Sequence, residues 1–478
     1  MRSLLRAPWF YYSLAALLLV GGVLSQLEIR VPSRPKASID ALAELRQRDD
    51  VNVIFLLIDT LRADHLGIYG YERPTSPTID EIARFGIRFE RVRAQSSWTK
   101  ASMASLWTAN YPATTGVIRY NHALAAEVRT PAEILRDAGF VTAGIFRNGW
   151  VAANFGFAQG FDLYVRPVPS RTRERYERAR KHEYTLQGTD IDATEAAIEF
   201  LRANVNDRFF LYVHYMDVHQ YLYEEHFAKY GTTYKDAYDN ALEWTDYNVA
   251  MLVSALDELG LFEKTVIVIG SDHGEAFFEH GKEGHAQDVY AEVSDVPWII
   301  SLPFRLDEPV VVESRVRNID LWPTVLDLIG AEPMEGVEGV SMVPLIEAAG
   351  RGEPPNGAAP TGAIVHLDRT WGRKEVDPMP MVGLDEGGLR LIYNANHPEN
   401  AELYDTVADP GEQVDIAEQR SEDRDALAEK ARQYLATEPA AAVDVQLDTM
   451  QLDQLRALGY VLDDNEPRPR GAPEKGAK

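Results

Sequence analysis

Val53-Ile-Phe-Leu-Leu-Ile58 is an unbroken apolar run closed by Asp59. Six consecutive side chains of this kind cannot alternate between core and water. The run therefore reads as a strand buried on both faces, the pattern of parallel sheets. Similar runs return at Phe140–Phe146, Phe209–Tyr215, Thr265–Gly270 and Val296–Leu302. Between them, apolar residues at helical spacing predict helices over Ser76–Phe85, Thr130–Ala138, Thr189–Asn204 and Tyr238–Leu259. Strands alternating with helices imply a doubly wound α/β sheet flanked by helices, and this reading assigns residues 51–349 to it.

Outward from that core the composition changes. A Pro- and Gly-rich break at 350–362 reads as a linker or long loop. Beyond it, Ala363–Asp368, Met381–Leu384 and Leu389–Tyr393 predict a small antiparallel piece, and Arg420–Thr437 a charged amphipathic helix. Residues 363–462 thus form a smaller C-terminal α+β subdomain, and the polar 463–478 reads as a disordered tail. On the other side, 28–50 is a polar linker ending in a short helix. Arg2 and Arg6 precede an uncharged stretch from Ala7 to Leu27. At ~1.5 Å per residue that stretch can cross a bilayer core of ~30 Å. Residues 1–27 read as an uncleaved membrane anchor, because Leu24-Ser25-Gln26 makes a poor cleavage site; a cleaved signal segment is the alternative. Either places the rest of the chain outside the cytoplasm.

The net charge of −26, from 48 basic and 74 acidic residues, argues against a nucleic-acid partner. The chain has no cysteine, which removes disulfides, thiolate metal sites and cysteine nucleophiles. What remains is oxygen and imidazole chemistry. In open α/β sheets ligands bind at the carboxyl ends of the strands. Asp59 comes after one predicted strand, and Asp272-His273 after another. Carboxylates with a neutral imidazole suit a divalent cation. Taken singly, each Asp could equally cap a helix.

Asp59-Thr-Leu-Arg-Ala-Asp-His-Leu-Gly-Ile-Tyr-Gly70 and Ser271-Asp-His-Gly-Glu275 resemble the two metal-binding motifs of the sulfatase family, within the alkaline-phosphatase superfamily. Thr75–Asp80 with Phe85–Phe89, Ser97–Pro112, Phe155–Asp162, Phe209–His219, Glu402–Pro410 and Leu455–Tyr460 occur in that family's order. The resemblance covers roughly residues 51–460. It implies an alkaline-phosphatase-like fold and hydrolysis of a sulfate or phosphate ester with a divalent Ca, Mg, Mn or Zn ion. It implies Asp59, Asp272 and His273 as metal ligands. The family often has a second acid where this chain has Thr60.

Counting back from Tyr111-Pro112, the resemblance puts the nucleophile at Thr99. Sulfatases carry Cys or Ser there, oxidised to formylglycine, with Pro two residues later and Arg four residues later. Here those positions are Ala101 and Met103, so no formylglycine is expected. Threonine resembles the phosphoryl-transferring branches, so a phosphoglycerol- or phosphoethanolamine-type transferase is an alternative to a hydrolase. The other reading of Thr99 is a helix N-cap. His219 matches a position that contacts the leaving group, and His285 stands where the family carries a lysine. A histidine there suits a general acid.

A second metal, held by His285 together with Asp217 and His219, is a further possibility. His214 and His280 could be structural. Asn148 resembles a pocket-lining residue, while Lys100 and Arg62 are expected in solvent or in salt bridges, or against the substrate anion. Small-molecule, glycan or lipid-headgroup esters are the expected substrates. A catalytically inactive, membrane-tethered binding protein is the competing class.

Overall fold

The computed structural model describes residues 34–167, 188–355, 360, 362–373, 376–439 and 442–447. The predicted anchor, the C-terminal motif at Leu455–Tyr460 and the tail lie outside the described residues. Among the described residues, no helix is long and apolar enough to cross a membrane.

Eight strands form the main sheet: β1 (Asn52–Ile58), β2 (Ile87–Arg93), β3 (Val141–Ile145), β4 (Leu163–Val165), β5 (Phe209–Tyr215), β6 (Thr265–Gly270), β7 (Asp295–Ser301) and β8 (Val310–Arg317). Their order is β8-β2-β7-β6-β1-β5-β3-β4. Five neighbouring strands from β6 to β4 run parallel, while β7 is antiparallel to both β6 and β2. The sheet is therefore mixed.

All seven residues of β1 are buried. Its side chains divide by the period of two that a strand imposes. Val53, Phe55 and Leu57 join one core, and Ile54, Leu56 and Ile58 join the other. Helices α1 (Pro77–Arg84), α4 (Asp190–Ala203) and α5 (Tyr234–Glu258) cover the second face. Helices α2 (Thr99–Thr108), α3 (Pro131–Asp137), α6 (Leu321–Leu328) and α7 (Val343–Gly350) cover the first. Burying each Val, Leu, Ile or Phe contributes about 1.5–3 kcal/mol, so this two-faced strand anchors both layers.

A separate antiparallel sheet comes next: β9 (Gly362–Asp368), β10 (Pro380–Glu386), β11 (Leu389–Asn394) and β12 (Glu402–Asp405), in that order. Helix α8 (Ser421–Leu435) packs on it through Leu427, Ala428 and Ala431. The expected elements are all present, with ends shifted by a few residues. Strands β2, β4, β8 and β12 are additions. Ile87-Arg-Phe-Glu-Arg-Val-Arg93 carries four charged side chains in an interior strand, and buried Arg93 reaches Asp295 at 2.8 Å and Asp385 at 2.9 Å. The charges are spent tying the small sheet to the large one.

Candidate active site

The register of the parallel strands assembles the site. β1 lies between β5 and β6, with Leu57 paired to His214 on one side and Gly270 on the other. Asp59, one step past β1, therefore emerges beside Asp272 and His273, just past β6. One carboxylate oxygen each of Asp59 and Asp272 and a ring nitrogen of His273 come within 4.8 Å of one another, all buried. Neither Asp59 Oδ1 nor Asp272 Oδ2 has a hydrogen-bond partner. Unpaired carboxylate oxygens are costly to bury, and a divalent cation between them removes that cost. Two oxygens and one nitrogen suit Ca²⁺, Mg²⁺ or Mn²⁺, with further imidazole ligation favouring Zn²⁺.

The surrounding groups fix each ligand. Asp59 Oδ2 accepts from Asn148 Nδ2 at 2.7 Å and lies 3.0 Å from His214 Nε2, whose Nδ1 is 2.8 Å from the Tyr212 hydroxyl. Burial opposes charge on Asp59, but the imidazoles of His219, His214 and His273 outweigh it and hold the carboxyl far below its usual range. Asp272 goes the other way: burial raises it, and Asp59 raises it further. Burial lowers His273, yet Asp272 and Asp59 more than reverse that. His273 Nδ1 lies 3.0 Å from the Gly274 carbonyl. A carbonyl only accepts, so Nδ1 carries the proton and Nε2 presents its lone pair inward.

Thr99 is the first residue of α2 and is completely buried. The cap position belongs to Trp98, and no side chain caps the helix. The N-cap reading of Thr99 is thus replaced by another set of contacts. Its Oγ1 lies 3.1 Å from His273 Nε2 and accepts from Asn148 Nδ2 at 3.4 Å. Asn148 Oδ1 accepts from Trp150 N at 2.9 Å, which orients the amide so that its donors face Asp59 and Thr99. Nor does Asp59 cap a helix. It leads into Thr60, which holds a left-handed backbone at φ 61. A β-branched residue there costs about 1–3 kcal/mol. Thr60 Oγ1 donates to the Asp59 carbonyl at 2.6 Å, and its N–H reaches Asp272 Oδ1 at 3.4 Å.

His219 and His285 close the other side. Their rings lie 4.9 Å apart, and the His285 ring is 4.5 Å from that of His273. Both ring nitrogens of His219 are buried without a partner. Burial pushes His219 down to about 4. His285 Nδ1 lies 3.2 and 3.3 Å from the two carboxyl oxygens of Glu275. Burial pushes Glu275 up to about 7 and His285 down to about 3, so the pair favours an uncharged state. Sequence reasoning places Glu275 within a motif but gives it no role. Its partner is ten residues away, and no local spacing announces the pairing.

Other candidates lie elsewhere. Asp217 is committed to Arg147 Nη1, Trp244 Nε1 and the Asp190 N–H, at 2.5, 2.9 and 3.0 Å. Among the described residues it does not join His219 in a second metal group. Lys100 is not in solvent or in a salt bridge. Its ammonium is fully buried, donates to the Tyr120 carbonyl at 2.7 Å and sits 3.4 Å from the Phe155 ring centroid. Burial holds it well below the usual lysine range. Arg62 pairs with Asp64 and Glu279, at 2.8 and 2.6 Å. His280 lies 2.8 Å from Glu292 and 2.7 Å from the Glu412 carbonyl.

Comparison with known proteins bears on the family and the fold. The profile of the Sulfatase family matches residues 51–331. That of N-sulphoglucosamine sulphohydrolase, C-terminal, matches 282–438. The chain is similar to the N-acetylglucosamine-6-O-sulfatase of Bacteroides thetaiotaomicron, 21% identical over 81% of this chain and 87% of that one. Its fold is similar to that of Ps i-CgsB, solved with k-i-k-neocarrahexaose (TM-score 0.64, 18% identity, 85% of this chain and 97% of that one). It is also similar to the phosphonate monoester hydrolase of Agrobacterium radiobacter (TM-score 0.64, 17% identity, 83% of this chain and 100% of that one).

Proposed function

The chain belongs to the sulfatase family of sulfate-ester hydrolases, and from that premise we propose that it cleaves sulfate or phosphate esters with Thr99 itself as nucleophile. The observation that carries this reading is the contact of Thr99 Oγ1 with His273 Nε2 at 3.1 Å, beside the unpartnered oxygens of Asp59 and Asp272. Asp59, Asp272 and His273 would hold a divalent cation, which supplies positive charge to stabilise both the attacking oxygen and the ester oxygens. Asn148 orients the Thr99 hydroxyl, since the one lone pair of His273 Nε2 would go to the cation. The Thr99 oxygen attacks the sulfur or phosphorus as its proton passes to the uncharged imidazole of His285 or His219, and the bond to the leaving oxygen breaks. His285 or His219 gives that oxygen a proton, and water or an acceptor alcohol then discharges the Thr99 ester.

Glycan esters are the favoured natural substrates, because similar proteins are named for sulfated sugars. The sequence reading of residues 1–27 adds a membrane tether with the site outside the cytoplasm. The identity of residue 99 favours a second reading, phosphoester hydrolysis or phosphoryl transfer, since threonine cannot become formylglycine by the oxidation that converts Cys or Ser. One experiment separates the readings. The full chain and its Thr99→Ala variant are assayed on matched aryl sulfate, aryl phosphate and bis-aryl phosphate esters, with and without Ca²⁺, Mg²⁺, Mn²⁺ and Zn²⁺. Cation-dependent turnover lost in the variant supports Thr99, and the preferred ester names the branch. Cation binding with no turnover of any ester favours the inactive binding protein, and full activity in Thr99→Ala removes the mechanism.

A further inference from the structure

The segments that carry Thr99 and His285 are both tied to one loop of the small subdomain. Lys100 follows Thr99, and its buried ammonium donates to the Tyr120 carbonyl at 2.7 Å. Tyr120 N donates to the Trp371 carbonyl at 2.7 Å. The indole Nε1 of Trp371 donates to the carbonyl of Ala286, the residue after His285, at 3.2 Å. Ala286 N in turn donates to the carbonyl of Ser97 at 2.9 Å, two residues before Thr99. The turn around Trp371, just past β9, is thereby held beside the reacting groups.

That turn has a defined shape. Asp368 Oδ1 accepts from the backbone and hydroxyl of Thr370 at 2.9 and 2.7 Å, and Gly372 N donates to Thr370 Oγ1 at 3.2 Å. Trp371 keeps a left-handed backbone at φ 52 and Gly372 at φ 75. Strain at a tryptophan persists only where its contacts over-determine it, and such strain gathers at ligand clamps. Glycine at 372 also makes room for an arginine. A Cβ there would lie 2.6, 2.7 and 2.8 Å from Cβ, Cγ and Cδ of Arg119. The stem of Arg119 thus lies on bare backbone next to the tryptophan. The side chain is 40% exposed, and its Nε stands 4.0 Å from Asp368 Oδ2, the outer limit of an ion pair. A packed stem with a wet cationic head is an anion donor already ordered before binding.

The charge here departs from that of the chain. The net charge is −26, yet Arg369-Thr-Trp-Gly-Arg-Lys374 carries three cations and no acid. The guanidinium carbon of Arg373 is 6.0 Å from the Trp371 ring centroid. A local cationic patch draws an anion whatever the net charge, and a half-buried indole offers a flat apolar face beside it.

We propose that Arg119 and Trp371 are specificity-determining residues: the indole contacts a ring in the non-reacting part of the substrate, and the Arg119 guanidinium binds a second anionic group on that ring, a sulfate, phosphate or carboxylate. This rests on the ester-hydrolase reading above and narrows its substrates to ring-bearing esters with at least one further anion. Arginine suits the role because its planar fork meets two oxygens of one anion. A turn that only latched the subdomains together would, when damaged, lower the turnover of every ester alike. A specificity site changes the preference between esters.

The test uses the full chain, with Arg119→Gln, Arg119→Lys, Trp371→Ala and Trp371→Phe. Arg129→Gln is the control, since that arginine is paired with Glu332 instead. Each is assayed on the preferred ester class with two matched pairs: phenyl against 3-carboxyphenyl esters, and methyl galactoside 6-esters without and with a second ester at carbon 4. The readout is the kcat/KM with the second anion divided by that without it. The wild type is expected to prefer the second anion by about 10–100-fold, the worth of one hydrogen-bonded charge. Arg119→Gln should bring the ratio to within about threefold of unity, Arg119→Lys should fall between, and Arg129→Gln should match the wild type. Trp371→Ala should raise KM on both members of a pair, and Trp371→Phe, which keeps a flat face without the N–H, should recover most of that loss. Independently of turnover, calorimetry in the Thr99→Ala background should show galactoside 4,6-disulfate binding more tightly than the 6-sulfate, a preference lost when Arg119→Gln is added. A wild type without preference, or an Arg119→Gln that loses the same factor on both members of a pair, overturns the proposal. Trp371→Phe as impaired as Trp371→Ala reduces Trp371 to a latch on Ala286 and removes the ring contact. If the wild type turns over no ester, the functional reading fails alone, and the binding preference still upholds or overturns the specificity site.

Discussion

Thr99 Oγ1 and His273 Nε2 stand 3.1 Å apart, although 173 residues separate them in the chain and each comes from a different element. Because the Gly274 carbonyl holds His273 Nδ1, the Thr99 hydroxyl donates to Nε2. The threonine oxygen in turn accepts from Asn148 Nδ2 at 3.4 Å, and Asn148 also donates to Asp59. Thr99→Ala should lower kcat/KM by about 10³-fold or more, as expected for loss of a nucleophile. Thr99→Ser keeps the oxygen and should retain activity within about tenfold. Thermal melting should place both within about 1 kcal/mol of the parent, since alanine and serine are tolerated in a helix's first turn. Steady-state kinetics of Thr99→Ala equal to wild type would remove Thr99 from the mechanism.

Asp59 and Asp272 crowd negative charge into a buried space, and burial together with Asp59 raises Asp272 above its usual range. Without a cation that repulsion destabilises the fold; with one it becomes binding energy. In chelator, Asp272→Asn should therefore melt no lower than wild type, and we expect it to melt higher. Added Mn²⁺ or Ca²⁺ should raise the wild-type melting temperature through about 2.7 kcal/mol of linkage at a hundred times Kd, and leave Asp272→Asn nearly unmoved. Equal cation-induced shifts in both proteins would rule out Asp272 as a ligand.

Much of this was legible in the chain itself. The runs at Val53–Ile58 and Thr265–Gly270 declare buried parallel strands, and the residues just past each strand end come together as the candidate metal site. β2 shows no apolar run because charged residues interrupt it, and the structure buries one of them, Arg93, between Asp295 and Asp385. Asp217 misleads for the converse reason. It looks like a free carboxylate beside His219, but the guanidinium of Arg147, 70 residues earlier, claims it. Glu275 and His285 show the same limit. The register of a short hairpin, with Phe277 opposite Glu283, decides their meeting, and hydrophobic periodicity carries no register for so short a pair.

Asp217 offers a clean count of metals. Arg147, Asp190 and Asp217 form a buried ionic cluster, with Arg147 2% exposed and both carboxylates fully enclosed. Removing one partner leaves charge uncompensated, so Asp217→Ala should cost about 3–5 kcal/mol of stability. It should leave the bound metal at one ion per chain, measured by elemental analysis on folded protein below its melting transition. Two ions in the wild type falling to one in Asp217→Ala would restore the two-metal arrangement.

His280 should give the protein a pH-dependent stability away from the catalytic groups. Its ring stacks on Tyr290 with centroids 3.9 Å apart; Nδ1 meets Glu292, and Nε2 meets the Glu412 carbonyl, with Gln413 at 3.4 Å. Burial opposes the imidazolium, but the Glu292 hydrogen bond and the Glu412 contacts outweigh it and raise His280 to about 9. A group whose pKa is higher folded than unfolded stabilises the fold fully below its unfolded value, about 6.5 for histidine. That contribution disappears as pH rises through about 9. Thermal melts from pH 6 to 10 should therefore show a decline across this window in wild type, and a shallower one in His280→Gln. The glutamine amide can still donate to one of the two acceptors but carries no titrating charge. If both proteins lose melting temperature in parallel, the decline belongs to other groups and His280 holds the hairpin to the Glu412 loop by packing alone.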